Sequence, residues 1–495
     1  MTSLLRSLVS LSLCLFVAPS AYANIESSPA PTAQPYPPLS HLPAGSRSAL
    51  RIESLVERDT ALVTDNQDQY FPPASTLKLL TALAAKLELN DNFRFETHLA
   101  TAGQDWVIQF SGDPTLMSQD LNNLLALAKR DGHTEIKGDL WLDNQAFTGY
   151  DRAVGWPWDS LGVCYSAPAS AISLDENCVY ASIYTQDDGK TRVYVPEQYP
   201  IYVTSSAQSV SQTEQQATQC DLELLSSPDN HYQLQGCLTQ REKPLPLKFA
   251  VQDPELYTQR MVSQQLRALG ITLKGQVRIG QPPATDTLRI ATHRSAPLSD
   301  LITTMLTKSD NLIADNLTKT LGAKFYIQAG SFSNGTKAIK QIIFAHTGID
   351  LTDVPMTDGS GLSRNNRITT AMMAKVLRYI WQHDEDLNLI AAMPKSGENG
   401  TLQYRRSMRQ SPIKGALVAK SGSIYGSMNM AGFGLDEHGT PTTLFIQFVA
   451  DYHPGEERRD APRGPAAITQ FERLFYQDVV NFSQAIPKNA LTTVK

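Results

Sequence analysis

Ser75 and Lys78 stand three apart in Ala74-Ser75-Thr76-Leu77-Lys78, and on a helix that spacing puts both side chains on one face. A serine hydroxyl is a poor nucleophile near neutral pH until a neighbouring base takes its proton. Lysine serves as that base when burial and a second cation lower its pKa, and Leu77, Leu79, Leu80 and Leu83 supply apolar surroundings. The chemistry open to this pair is nucleophilic acyl transfer. A lone S-x-x-K carries little weight, because Ser411-Pro412-Ile413-Lys414 is a second copy. There Pro412 spoils a helix interior and the stretch is polar, so Ser411 is set aside as a decoy.

Two more patterns complete a set. In Ser309-Asp310-Asn311, early in a helical pattern, a hydroxyl and an amide can project together into a cleft. Ser309 would relay a proton to a leaving amine, and Asn311 would bond Lys78 and a substrate amide. S-x-N recurs at Ser363-Arg364-Asn365 and Ser427-Met428-Asn429, and any one copy reads equally as a helix cap. Lys420-Ser421-Gly422 lies in a strand-like stretch. Its cation and hydroxyl suit a substrate carboxylate, and its glycine lets an extended chain approach the backbone. Lys395-Ser396-Gly397, in a turn-rich segment, reads as a surface loop. The ordered set is the signal: a nucleophile and base on a helix, a hydroxyl-amide pair, then a cation on a strand.

The elements that must position these residues are visible in the periodicity. Alternation from Ser48 to Val56 predicts a half-buried strand, and a helix is expected after Phe71-Pro72-Pro73. From about Asn90 to Ile290, short β-like runs such as Asp105 to Phe110 alternate with turns; Leu256 to Leu269 reads as a helix and Ile271 to Ile279 as a strand. Long helical patterns follow, starting with Leu298 to Leu321, and Ala416 to Met430 is strand-like. The expected fold is a mixed α/β (α+β) domain, residues 45–89 and 291–495, split by a large, mostly β inserted region, 90–290, of two nested subdomains.

Residues 1–23 pair Arg6 with an apolar run from Leu8 to Val17 and end in Ala21-Tyr22-Ala23, the pattern of a cleaved signal peptide. Cys14 lacks the small residues expected before a lipid-modified cysteine. A proline-rich leader, 24–44, follows and reads as an extended segment rather than a packed element. No later stretch approaches the roughly 18 consecutive apolar residues of a membrane span, and the segment after Ala485 lacks a basic amphipathic anchor pattern. Export implies an oxidising compartment. Cys164, Cys178, Cys220 and Cys237 allow three pairings, of which neighbour pairing closes the shortest loops. Their spacing does not fit C-x2-4-C zinc sites. A net charge of −6 without basic blocks argues against nucleic acid as a partner. The 9 histidines are scattered and H-E-x-x-H is absent, so no metal or cofactor is assigned.

The three motifs in this order on an exported chain resemble the penicillin-binding proteins and serine β-lactamases. The gap between Ser75 and Ser309 is far larger than a simple β-lactamase domain leaves. That gap, Gly155 to Ser160 (GWPWDS), Thr307 to Leu317 (TKSDNLIADNL), Asp358 to Asn366 (DGSGLSRNN) and Ala419 to Phe433 together resemble the low-molecular-mass class C penicillin-binding proteins, peptidase family S13. The resemblance implies a periplasmic serine D-alanyl-D-alanine carboxypeptidase and DD-endopeptidase that acts on peptidoglycan stem peptides and cross-links and is inhibited by β-lactam antibiotics. It implies that Ser75 forms an acyl-enzyme with Lys78 as base, and that Ser309 protonates the leaving amine.

The same resemblance implies an oxyanion hole from the backbone N–H groups of Ser75 and Ser423, with Lys420 and Ser421 holding the terminal carboxylate beside Gly422. Arg364 falls in a loop expected beside the site. Asp159, or Ser160 given a one-residue shift in spacing, stands where an acid would bind an ammonium-bearing substrate side chain, flanked by Tyr165. Ser421 replaces the commoner threonine, and Tyr425 stands where glutamine is expected.

Two rivals share this fold. A serine β-lactamase needs a carboxylate that activates the deacylating water, and no glutamate-centred motif is assignable to that task. A non-catalytic wall-binding protein would usually have lost one of Ser75, Lys78, Ser309, Asn311 and Lys420, and all five are present.

Overall fold

The computed structural model describes residues 36–57, 60–283, 286–453 and 466–485. The expected signal peptide, the first part of the leader and the tail after Ala485 lie outside the described residues. At its other end the leader forms a 3-10 helix, Pro37–His41, where an extended segment was expected, and Pro38 is buried.

A five-stranded antiparallel sheet runs in the order Leu417–Ile424, Ser427–Leu435, Pro441–Ala450, Arg47–Ser54, Ala61–Asp65. Its central strand Pro441–Ala450 is covered on both faces, which is why its sequence is nearly continuous in apolar residues. On one face Leu444, Ile446 and Phe448 join a core shared with Leu79, Leu80 and Leu83 of the helix Lys78–Leu89 and with the helices Leu298–Lys308, Asn311–Tyr326, Phe332–Thr347 and Thr370–Gln382. On the other face Phe445 packs on Phe475 and Tyr476 of the helix Ala467–Ala485. The apolar side of that last helix is spent on the sheet, and among the described residues no helix is long and apolar enough to cross a membrane.

Residues between Phe95 and Leu298 build further sheets. One mixed five-stranded sheet has the order Val277–Ile279, Leu140–Asp143, Asp105–Gln109, Glu96–Ala102, Leu288–Arg294. A three-stranded sheet (Leu245–Ala250, Cys178–Thr185, Thr191–Tyr194), a four-stranded one around His231–Thr239 and a two-stranded one, Glu135–Ile136 with Thr272–Leu273, complete the region. A second apolar core runs through these strands and the helices Ser118–Arg130 and Pro254–Leu269. The fold is therefore α/β, with a mostly β insertion in a transpeptidase-like domain. Two disulfides, Cys164–Cys178 and Cys220–Cys237, both lie in the insertion and pair neighbours.

Three expected elements are subdivided. The helical pattern from Leu298 to Leu321 is two helices, because Ser309 takes φ +61° and Asp310 restarts the chain by accepting the N–H of Ile313 as an N-cap. The pattern from Ile271 to Ile279 is two short strands, Thr272–Leu273 and Val277–Ile279. At Gly275, between them, a Cβ would stand 2.5 Å from the carbonyl oxygen of Gly138. The stretch from Ala416 to Met430 is a hairpin that turns at Tyr425-Gly426, where Gly426 has φ +72°.

Candidate active site

Ser75 lies in a 3-10 turn, Ala74–Leu77, that runs directly into the helix Lys78–Leu89. Ala74 is held at φ +48°, a left-handed conformation rare for a residue with a side chain. Two bonds fix the chain there: Thr76 Oγ1 donates to the Pro73 carbonyl at 2.8 Å, and Asn429 Nδ2 donates to that of Pro72 at 2.8 Å. Such local strain persists only where its surroundings over-determine it, and it clusters at functional sites.

Lys78 is fully buried, and its Nζ reaches Ser75 Oγ at 3.1 Å, Asn311 Oδ1 at 2.5 Å and the Ser360 carbonyl at 2.6 Å. Burial pushes its pKa down to about 8, against the opposing pull of the Asp315, Asp358 and Asp310 carboxylates. A useful fraction of Lys78 is then neutral and able to accept a proton near neutral pH. Lys420, also fully buried, donates to Ser309 Oγ at 2.8 Å and to the Ser421 carbonyl at 2.8 Å. Burial, with Lys78 nearby, holds it well below the ordinary lysine range.

The strand Leu417–Ile424 passes so close to the Ser75 turn that a Cβ on Gly422 would stand 2.7 Å from the Pro73 oxygen and 3.0 Å from the Ser75 nitrogen. Glycine there is a packing requirement. Ser421 Oγ is 2.8 Å from Thr401 Oγ1. Ser75, Ser309, Asn311 and Ser423 share a cleft of about 560 Å³ with Asp159, Tyr165, Arg364 and Tyr425. All four of the less specific sequence candidates therefore sit at the cleft that holds the motifs. The Arg364 guanidinium lies 5.9 Å from the Tyr425 ring centre, and the Tyr165 carbonyl accepts from Asn311 Nδ2 at 2.7 Å. Ser160 lines the cleft too, but its hydroxyl is turned to the Pro157 carbonyl.

Sequence reasoning missed the support beneath this site. Asp358 is fully buried and accepts from Trp156 Nε1, Asn366 Nδ2 and the N–H groups of Gly361 and Ser363 at 2.7 to 2.9 Å. Asp315 accepts from the N–H groups of Gly359 and Ser360, each at 3.0 Å, and burial raises its carboxyl to about 8. Together they shape the loop whose Ser360 carbonyl holds Lys78. One signal was available: Asp315 is four residues beyond Asn311, on the same helical face.

Among the decoys, the copy at Lys395-Ser396-Gly397 is not a solvated loop. Ser396 is fully buried, its N–H donates to the Leu417 carbonyl at 2.9 Å, and its hydroxyl donates to that of Ile413 at 2.6 Å. Asn429 of another copy pins the Ser75 turn. Ser411 and Lys414 are exposed and line none of this cleft.

Residues 39–473 match the D-Ala-D-Ala carboxypeptidase 3 (S13) family. The chain belongs to that family. A similar S13 relative is the D-alanyl-D-alanine carboxypeptidase DacB of Haemophilus influenzae, 36% identical over 451 residues that cover 89% of this chain and 92% of that protein. The crystal structure of penicillin binding protein 4 (dacB) from Haemophilus influenzae superposes with a TM-score of 0.82 at 34% identity, over 90% of this chain and 98% of that one. The same protein complexed with a novel β-lactam superposes at 0.78 and 33% identity, with the same coverage.

Proposed function

We propose that this S13 family member is a serine D-alanyl-D-alanine carboxypeptidase and DD-endopeptidase of peptidoglycan peptides. The observation that carries the reading is the buried Lys78 amine, within hydrogen-bond reach of both Ser75 and Asn311. Ser75 Oγ attacks the carbonyl carbon of the penultimate D-alanine while Lys78 takes the hydroxyl proton. The N–H groups of Ser75 and Ser423 receive the developing oxyanion. As the C–N bond breaks, Ser309, bonded to Lys420, passes a proton to the departing amine and regains one from protonated Lys78, which leaves an ester on Ser75 and Lys78 neutral again. Water hydrolyses that ester, giving its proton to the Ser75 oxygen through Lys78.

Lys420 and Ser421 hold the carboxylate next to the scissile bond, and a β-lactam presents a carboxylate to the same pair. The relative that was crystallised with a β-lactam supports this part of the reading. Asp159 and Tyr165 receive an ammonium-bearing side chain on the acyl side, with Arg364 and Tyr425 as the facing wall. Residues 45–89 and 291–495 form the catalytic domain around the inserted 90–290. Residues 1–23 direct export to the periplasm, where both disulfides persist.

The test is intact-protein mass spectrometry after exposure to benzylpenicillin, on the wild-type chain and Ser75→Ala, with peptide mapping. A long-lived adduct on Ser75, absent from the variant, together with D-alanine release from a pentapeptide, is the expected result. Rapid penicillin turnover would make the protein a β-lactamase, and no adduct with no turnover would make it a non-catalytic wall-binding protein.

A further inference from the structure

A second cleft, of about 610 Å³, opens on the far side of Ser309, Asn311 and Tyr165, and these three residues line both it and the Ser75 cleft. The two clefts therefore adjoin at these residues, one of which is the Ser309 assigned above to protonate the departing amine. Its walls combine an apolar floor, including Leu222, Leu224, Leu247 and Phe249, with charges of both signs: Glu176, Asp310 and Glu223 against Lys248 and Lys308. A single D-alanine is too short to reach along it to both sets of charges.

Glu176 is presented deliberately. Asp175, Glu176 and Asn177 all take left-handed φ, +52°, +58° and +46°. Their neighbours hold them there: Asp175 accepts from the Ser118 N–H at 2.7 Å and the Tyr257 hydroxyl at 2.8 Å, and Asn177 Nδ2 donates to the Pro168 carbonyl at 2.9 Å. The Cys164–Cys178 disulfide ties this turn to Tyr165 on the ridge between the clefts. Lys248 Nζ lies over the Tyr180 ring at 4.9 Å, also on the cleft wall.

The geometry points to this cleft as the subsite for the leaving half of a cross-linked peptide: a chain with an aliphatic arm and charged ends of both signs, beginning at the amine that Ser309 protonates. The inference rests on the function proposed above and deepens it. The Ser75 cleft would then act on any D-alanyl bond, and the second cleft would select leaving groups that are peptides.

Glu176→Gln and Lys248→Ala test this in the full chain with three measurements: the rate of Ser75 acylation by benzylpenicillin, D-alanine release from a pentapeptide, and cleavage of a cross-linked peptide dimer. The expected result is that the first two stay within about twofold, while kcat/KM for the dimer falls about tenfold or more in each variant. Unchanged dimer cleavage in both variants overturns the inference, as does an equal fall in all three rates. A wild-type chain that is acylated and releases D-alanine but never cuts the dimer also overturns it. If the wild-type chain is not acylated at all, it is the proposed function that fails.

Discussion

Lys420 Nζ and Ser309 Oγ are hydrogen-bonded at 2.8 Å, which joins an edge strand of the sheet to the break between two helices. The bond orients a hydroxyl that would otherwise rotate freely, and on the proposed function it places the buried Lys420 side chain where a carboxylate would arrive. Ser309→Ala should lower D-alanine release by about 10²- to 10⁴-fold, the range of a lost proton relay. Stopped-flow acylation by benzylpenicillin should fall less, because opening a strained ring depends less on protonating the departing amine.

The acylation rate should rise with pH and level off above about 8. The active form of Lys78 is the neutral one, and its pKa is lowered to about 8, so each pH unit further below that value should reduce the rate about tenfold. Asp315→Asn removes the negative charge that Asp315, when ionised, sets beside Lys78, so the acid limb should move to lower pH. Lys78→Arg stays charged at every accessible pH and should show no such limb and a rate reduced by 10³ or more. A pH series of acylation rates for the three proteins checks the set.

Gly422→Ala should place its methyl against the backbone of Pro73, Ser75 and Thr76. The strand and the Ser75 turn must move apart, which costs about 1–3 kcal/mol of packing. A displacement on that scale at the nucleophile should cost about 10²-fold in acylation. Comparison of the acylation rate with the urea midpoint separates the two effects: a small change in stability beside a large change in rate is expected.

Asp358→Ala should be among the most destabilising single changes, by about 3–5 kcal/mol, because it strands four donors in a dry interior. Trp156→Phe keeps most of the ring and loses one of those bonds, so about 1–3 kcal/mol is expected. Chemical denaturation of both variants is the check.

Replacing Cys164 and Cys178 by serine opens a loop of 14 residues and should cost about 3 kcal/mol on the chain-entropy account. Penicillin acylation should persist, since Ser75, Lys78 and Lys420 are held by other elements. Unfolding midpoints together with adduct formation test both halves of the expectation.

The parts of this site that could be read in the sequence are those whose chemistry demands a residue type at a short spacing. Ser75 and Lys78, or Lys420 and Gly422, announce themselves because one helix turn or one strand fixes their relation. Asp358 and Asp315 did not, because their roles depend on which backbone N–H groups the tertiary fold brings to them. The break at Ser309 was missed for another reason: apolar periodicity continues through it, and only the Asp310 cap marks the restart. The duplicate motif at Lys395 was misread as surface because turn-rich composition does not report burial.

That duplicate has a second meaning. Leu417–Ile424 is an edge strand, and unpaired edges invite pairing with other chains. Ser396 and Pro394 occupy its first half, bonding to Leu417 and Ala419. Among the described residues, no second strand pairs with the remaining stretch from Ser421 to Ile424. The open template is therefore only a few residues long. On the proposed function it would take a short peptide in extended form as a temporary extra strand, yet it is too short to seed sheet-to-sheet association with another copy. The same plug would limit how much backbone any bound chain can register against the sheet, so discrimination among longer chains has to come from the walls on either side.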